Sequence, residues 1–151
     1  MGRGKTATNK DRFQAAVDYL SEYAGVKGAV IVDSEGLAIA KSGQKDFDSD
    51  NYAAIGFQLV STVNGALPKL IKPGIELISI KTSSDWLTIA RSASLFLVVA
   101  AERSADDLLN IRITRSLDMV TAHVKEKYPY YLSQALPRTK EPAKEMEEIN
   151  V

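Results

Sequence analysis

Residues whose types could do chemistry occur in a few places, and each place lacks a part that its chemistry needs. Gly2-Arg3-Gly4-Lys5-Thr6 ends in the Gly-Lys-Thr of a phosphate-binding loop. Such a loop cradles phosphate with backbone N–H groups between spaced glycines, after a strand and before a helix. The pattern needs another glycine five residues before Gly4 and a strand ahead of it, and residues 1–8 are expected to be a disordered, basic lead-in instead. Gly2 with Thr6 also fits the short N-myristoylation pattern, which chance matches often. Asp46, Asp48 and Asp50 alternate like calcium-loop ligands, but the sixth position is Asn51 where Gly is required and the twelfth is Phe57 where Glu is required. Helix capping explains these acids better. His123 is the one histidine and there is no cysteine, which excludes thiolate zinc, disulfides, a Cys nucleophile and a multi-histidine metal site within one chain. Arg112 and Arg115 could stabilise phosphoryl-transfer charge on another protein, although arginine on a helix surface is usually solvated or ion-paired. No Gly-x-Ser-x-Gly elbow is present. The expectation is a chain that is not an enzyme, with no cofactor and no metal.

Composition sets the outer limits. A chain of 151 residues, 45% of them hydrophobic, suits one domain with one core. Lys+Arg and Asp+Glu both number 19, which argues against phosphate neutralisation and so against nucleic-acid binding. The longest strongly apolar run, 95–101, is too short to cross a bilayer. No apolar run follows the basic N-terminus, so no signal peptide is expected. These readings lead to a cytoplasmic protein without membrane insertion.

The elements follow from period and punctuation. Phe13, Ala16, Val17, Leu20 and Ala24 recur at helical spacing from a start near Thr8 or Asn9 to Gly25. Within 27–33, Gly28-Ala29-Val30-Ile31-Val32 form an unbroken, nearly all-apolar run of the kind that is covered on both faces. Asp33-Ser34-Glu35-Gly36 has turn chemistry and 37–41 returns, which makes a hairpin. The acids at 48–50 open a second helix predicted to reach Leu70, complicated by Pro68 and ended by Pro73-Gly74. Runs at 75–81, 85–91 and 94–101 with short turns predict an antiparallel meander. Ser104 is expected to cap a last helix whose stripe is Leu109, Ile113, Leu117, Val120 and Val124, with Pro129 after it. The order helix, two strands, helix, three strands, helix predicts an α+β fold with a five-stranded antiparallel sheet and helices on both faces. The domain is expected over 9–128, followed by a tail over 129–151 with a short helix at 144–149.

The middle helix points beyond one chain. Tyr52, Ile55, Gly56, Leu59, Val60, Val63, Ala66, Leu67, Leu70 and Ile71, extended by Ala53 and Phe57, cover an arc of roughly 200°, wider than the ~100° stripe of a surface helix. One sheet face cannot cover that arc, and a second copy is the simplest partner. The run 75–81 would be a pairing hazard as a sheet edge, and joining it to the same strand of a twin would remove the hazard. The interface expected on these grounds uses Ala53, Phe57, Val60, Ile75, Leu77, Ile78 and Ile80. The opposite arc of the helix carries Asn51, Ala54, Gln58, Ser61, Thr62, Gly65 and Lys69, small or polar residues that either face water or admit a partner's backbone.

The run Gly25-Val26-Lys27-Gly28-Ala29-Val30-Ile31-Val32-Asp33-Ser34-Glu35-Gly36-Leu37-Ala38-Ile39-Ala40 resembles the opening hairpin of Roadblock/dynein-light-chain domains. The Ala53-Ala54 helix start, the strand near Ile75–Ile80 and the apolar strand before a long helix fit the same family over about residues 9–128. The resemblance implies dimers built through the middle helix and third strand, and a Ras-like GTPase docked on the two middle helices near Gln58, Ser61, Thr62, Gly65 and Lys69. Prokaryotic members similar to it include activators of a polarity-controlling GTPase in gliding bacteria, thought to reposition the GTPase's own residues. Arg112 and Arg115 therefore receive no catalytic role. The function implied is a homodimeric regulator of a Ras-like GTPase. The alternatives are a scaffold that only localises a GTPase or motor complex and, ranked last, a small-molecule sensory domain.

Overall fold

The structure, a computed structural model, describes residues 8–66 and 75–133. Helix α1, Thr8–Ser21, buries Phe13, Ala16, Val17 and Leu20, the set that recurs at helical spacing. Turns carry the chain on to Gly25, whose φ is +92°. A Cβ there would stand 2.9 Å from that of Ala105, so both the left-handed backbone and the close approach require glycine.

Strands β1, Val26–Val32, and β2, Ala38–Gly43, form the predicted hairpin. One carboxylate oxygen of Asp33 accepts the N–H groups of Glu35 and Leu37 at 2.9 and 3.0 Å, and Gly36 supplies the positive φ of the turn. Helix α2, Ser49–Ala66, opens where the acids predict, with Asp48 accepting the Asn51 N–H at 3.2 Å. The predicted continuation through Leu67, Pro68, Lys69, Leu70 and Ile71, and the Pro73-Gly74 stop, lie outside the described residues, as do residues 1–7 and 134–151.

The meander follows as β3, Leu77–Lys81, β4, Asp85–Ser92, and β5, Leu95–Glu102. Helix α3 is Leu108–Lys127, and α4 is a turn of helix at Tyr130–Ser133. The five strands lie in the order β2-β1-β5-β4-β3, every pair antiparallel. Helices α1 and α3 cover one face over Ala29, Ile31, Leu95, Leu97, Val99, Trp86 and Ala90. Helix α2 covers the other over Val30, Val32, Phe96, Val98 and Ile89. The fold is therefore α+β with helices on both faces, and β1 and β5 carry the two runs whose unbroken hydrophobicity predicts burial on both sides.

The last helix starts later than its sequence suggests. Ser104 bonds the Glu102 carboxylate at 3.4 Å and does not cap α3. Asp106 holds the start instead, accepting the Leu108 N–H at 3.1 Å and the Tyr23 hydroxyl at 2.5 Å. The segment read as tail begins with α4, where the Tyr131 carbonyl accepts the Ser94 N–H at 3.2 Å and ties the chain to the β4–β5 turn. His123 is fully buried, its ring edge-on to Phe13 at 4.6 Å and to Tyr128 at 5.3 Å.

Two close contacts position α2. Phe47, in the loop before it, lies over Gly28 and Gly43, where added Cβ atoms would meet its ring. It also stacks on Tyr52 with centroids 5.0 Å apart. Lys27, at the β1 bulge, reaches across β5 to Asp85 at 2.5 Å. That hydrogen bond holds the Asp85 carboxyl below its ordinary range, with help from the Ser84 hydroxyl, and holds the Lys27 ammonium above its own.

Gly28→Ala is expected to destabilise the domain by about 1–3 kcal/mol through overpacking against Phe47, read from chemical denaturation. The Lys27–Asp85 pair should stabilise the fold between the lowered carboxylate pKa and the raised ammonium pKa. The melting-temperature advantage over Asp85→Asn is then present at neutral pH and shrinks as acid protonates Asp85. An advantage that persists at the acid end would show that the pair does not act through charge.

Candidate functional site

Packing decides which parts of α2 are free. Gly56 lies against β5, where a Cβ would come within 2.6 Å of the Val98 side chain. With Gly56 as the point of closest approach, the helix turns Ser49, Ala53, Gly56, Val60 and Asn64 to the sheet. At 100° per residue that buried stripe spans about 80°, far narrower than the apolar arc seen in the sequence. Much of the arc is left over.

Ala53 and Val60, expected at a dimer interface, are therefore core residues of the protomer and have almost no surface to give. Phe57 lies on the flank toward β2, over the Gly36 turn, where a Cβ on Gly36 would sit 3.2 Å from its ring. It faces away from β3. Ile75 precedes the strand and is half-buried; the carbonyl of the next residue, Glu76, continues the ladder by accepting the Arg91 N–H at 3.0 Å.

Leu77, Ile78 and Ile80 do converge with the helix. Among the described residues β3 is an edge of the sheet, paired only with β4. Helix α2 lies over β1, β2 and β5, which leaves the β4–β3 end of its face partly open. Ile78 and Leu87 are half-buried there, beside Tyr52 and Leu59 from the helix. Ile80 and Ile55 are each 37% exposed, and Leu77, on the other face of the edge strand, is 55% exposed. An apolar trough thus runs between the flank Tyr52, Ile55, Leu59, Val63 and the free β3 edge. Ile55, Leu59 and Val63, which line this trough, are absent from the interface expected from sequence; their signal was present, since an arc too wide for one face must leave a flank uncovered.

The outer arc of α2 carries the candidate partner residues. Gln58 and Thr62 are exposed beside Asn51 and Ala54, while Ser61 and Gly65 are half-buried. The Ser61 hydroxyl donates back to the Phe57 carbonyl at 2.8 Å, which leaves it poorly placed to lead recognition. Lys69 lies outside the described residues. Arg112 and Arg115 stand on α3, on the opposite sheet face from this surface. Among the described residues no group of three or more His, Cys, Asp or Glu could hold a metal, and no helix is long and apolar enough to cross a membrane.

The family model for the Roadblock/LC7 domain matches residues 13–101. No curated protein matches the sequence. Among solved structures the chain is similar to Myxococcus xanthus MglB, with 25% identity and a TM-score of 0.70 over 78% of this chain and 90% of that one. A Roadblock/LC7 domain from Streptomyces avermitilis is 20% identical, with a TM-score of 0.67 over 74% of this chain and 97% of its own. The gliding protein MglB of Thermus thermophilus is 13% identical, with a TM-score of 0.71 over 78% of this chain and 92% of its own. The hairpin, the sheet order and the helix lying over β1 and β5 all fall within residues 13–101, and by that match the chain belongs to the Roadblock/LC7 family.

Proposed function

We propose that the chain is a non-catalytic homodimeric regulator, acting in the cytoplasm, that binds a Ras-like small GTPase and stimulates its GTP hydrolysis by repositioning the GTPase's own residues. The observation that carries the reading is the trough. An unpaired strand edge beside an uncovered apolar helix flank invites a second copy to continue the sheet and cover Ile55, Leu59 and Val63. Two α2 helices would then lie side by side, and their outer arcs would form one broad polar surface with Asn51, Ala54, Gln58 and Thr62 at its centre. Such a surface has small and neutral side chains, which suits shape-led recognition over charge steering. The Roadblock/LC7 match and the likeness to Myxococcus xanthus MglB support a regulatory role, and the GTPase is the partner that the Roadblock resemblance implies. On this reading the arc acts by shape, and its effect on hydrolysis comes from rearranging the partner.

A dimer of this kind should bury on the order of 1,600 Å² in total. Ile80→Lys combined with Ile55→Glu removes exposed contacts without entering the core. In sedimentation this variant is expected to run as a folded monomer of the 16.5 kDa chain, and a folded dimer would place the interface elsewhere. The activity is tested by GTP hydrolysis of Ras-like GTPases from the same genome, with and without a stoichiometric excess of the full chain. Stimulation that survives Arg112→Ala and Arg115→Ala but falls about tenfold or more in affinity with Gln58→Arg and Thr62→Arg is the expected result, a loss of about 1.4 kcal/mol. Tight binding without a change in rate would make the chain a scaffold, and no binding would overturn the reading.

A further inference from the structure

A second surface lies on the opposite side of the sheet. Leu108, Ile111, Arg112 and Arg115 recur at i, i+3, i+4 and i+7 on α3 and so share one face. This face is distinct from the buried stripe of Leu109, Ile113, Ser116, Val120 and Val124. Leu108 is 59% and Ile111 52% exposed, although both are large aliphatic residues. Tyr19 and Tyr23, from α1 and the turn after it, form the other wall of a groove of about 340 Å³.

The groove is built and electropositive. The Arg112 guanidinium lies 4.1 Å from the Tyr19 ring centroid and 5.1 Å from that of Tyr23. Tyr23 in turn donates to Asp106, the residue that starts α3. Arg115 lines the same groove, and the two guanidinium groups hold the Tyr19 hydroxyl below its ordinary pKa. Among the described residues, the only side-chain salt bridges are Arg12–Glu126 and Lys27–Asp85, so neither groove arginine faces a carboxylate at ion-pair distance. A stacked guanidinium, that of Arg112, with a second at Arg115 in the same groove and exposed aliphatic carbon beside them fits an acidic segment with apolar residues on one side.

We infer that this groove receives residues 141–149 of the same chain in a reversible intramolecular contact. The segment Glu141-Pro142-Ala143-Lys144-Glu145-Met146-Glu147-Glu148-Ile149 carries four glutamates against one lysine. In the short helix that the sequence predicts at 144–149, Met146 and Ile149 share a side with Glu145, and Glu148 flanks it. That side can cover Leu108 and Ile111 while its carboxylates meet Arg112 and Arg115. The chain is long enough to make the contact. Arg112 stands about 24 Å from the end of α3 at 1.5 Å per residue, and residues 134–145 span up to about 40 Å when extended. Exposed ion pairs are individually weak. Tethering offsets this weakness, since a short linker holds the segment at an effective concentration on the order of millimolar. The groove and the α2 surface lie on opposite faces of the sheet, so the contact stands apart from the proposed GTPase site.

The absence of cysteine makes the test clean. A nitroxide label on Asn150→Cys, in ¹⁵N-labelled full-length protein, is expected to broaden the amide signals of residues 108–115 and 19–23 selectively. The broadening should be lost in Glu145→Lys with Glu148→Lys, and should fade at about 1 M salt, where charge interactions are screened within about 3 Å. The spectrum of the unlabelled variant reports that the domain stays folded. Broadening elsewhere, none at all, or broadening that ignores the charge reversal would overturn the inference. A 1:1 mixture of spin-labelled ¹⁴N chain and unlabelled ¹⁵N chain separates the remaining case: broadening at the groove there would assign the contact to a neighbouring copy and overturn the intramolecular one.

Discussion

The architecture depends on one constraint, the burial of β1 and β5 on both faces. Seven consecutive residues of β5, Leu95 to Ala101, are buried, and residues Ala29 to Val32 of β1 are buried beside them. Neither strand presents a polar face, so the sheet needs cover above and below. The cover is unequal. Two helices, α1 and α3, pack together on one face and tie to each other through the Ser116 hydroxyl, which donates to the Ala16 carbonyl at 3.1 Å. Among the described residues the other face has only α2. One helix about 10 Å wide cannot span five strands about 4.8 Å apart, and the deficit falls at the β4–β3 end, where the trough lies.

Small residues decide where that single helix settles. Gly56 lets it sink onto Val98, and Gly28 with Gly43 lets Phe47 lie flat beneath its entry. A Cβ at either level would lift the helix and with it the exposed flank. At the other end of the molecule, Gln14 donates to the Lys41 carbonyl at 2.7 Å and Ser21 shares a 2.6 Å hydrogen bond with Ser42. These bonds hold α1 against β2, the edge away from the trough. The two edges are thus treated differently: β2 is braced by a helix, and β3 keeps a free side.

Much of this arrangement is legible in the chain because its signals are local. The Asp33–Gly36 turn, the apolar runs of β1 and β5 and the helical period of α1 each need only a few neighbouring residues. Features set by distant partners are not legible in that way. Ser104 looks like a cap, but Asp106 takes the role because Tyr23, far back in the chain, anchors its carboxylate. The wheel of α2 shows an arc that is too wide, yet its rotation follows from the single contact of Gly56 with Val98. That rotation buries Ala53 and Val60, sends Phe57 toward the hairpin and leaves Ile55 and Leu59 toward the edge. His123 lies beside the core stripe of its helix, and its burial follows from Phe13, a distant residue, and Tyr128, whose rings meet its own edge-on. On the outer arc, Gln58 and Thr62 are legible as exposed; what they touch is not a property of one chain.

The free side of β3 also bears on inheritance. A strand edge is read through the spacing of amide and carbonyl groups, which every chain with this fold shares, whatever its side chains. After gene duplication, two diverging copies would keep compatible edges by default and exchange partners freely. Keeping them apart would fall to the few side chains beside the ladder, Leu77, Ile78 and Ile80 with Ile55 and Leu59 above them. Substitutions at those positions are where one lineage would become faithful to itself or commit to a mixed pair.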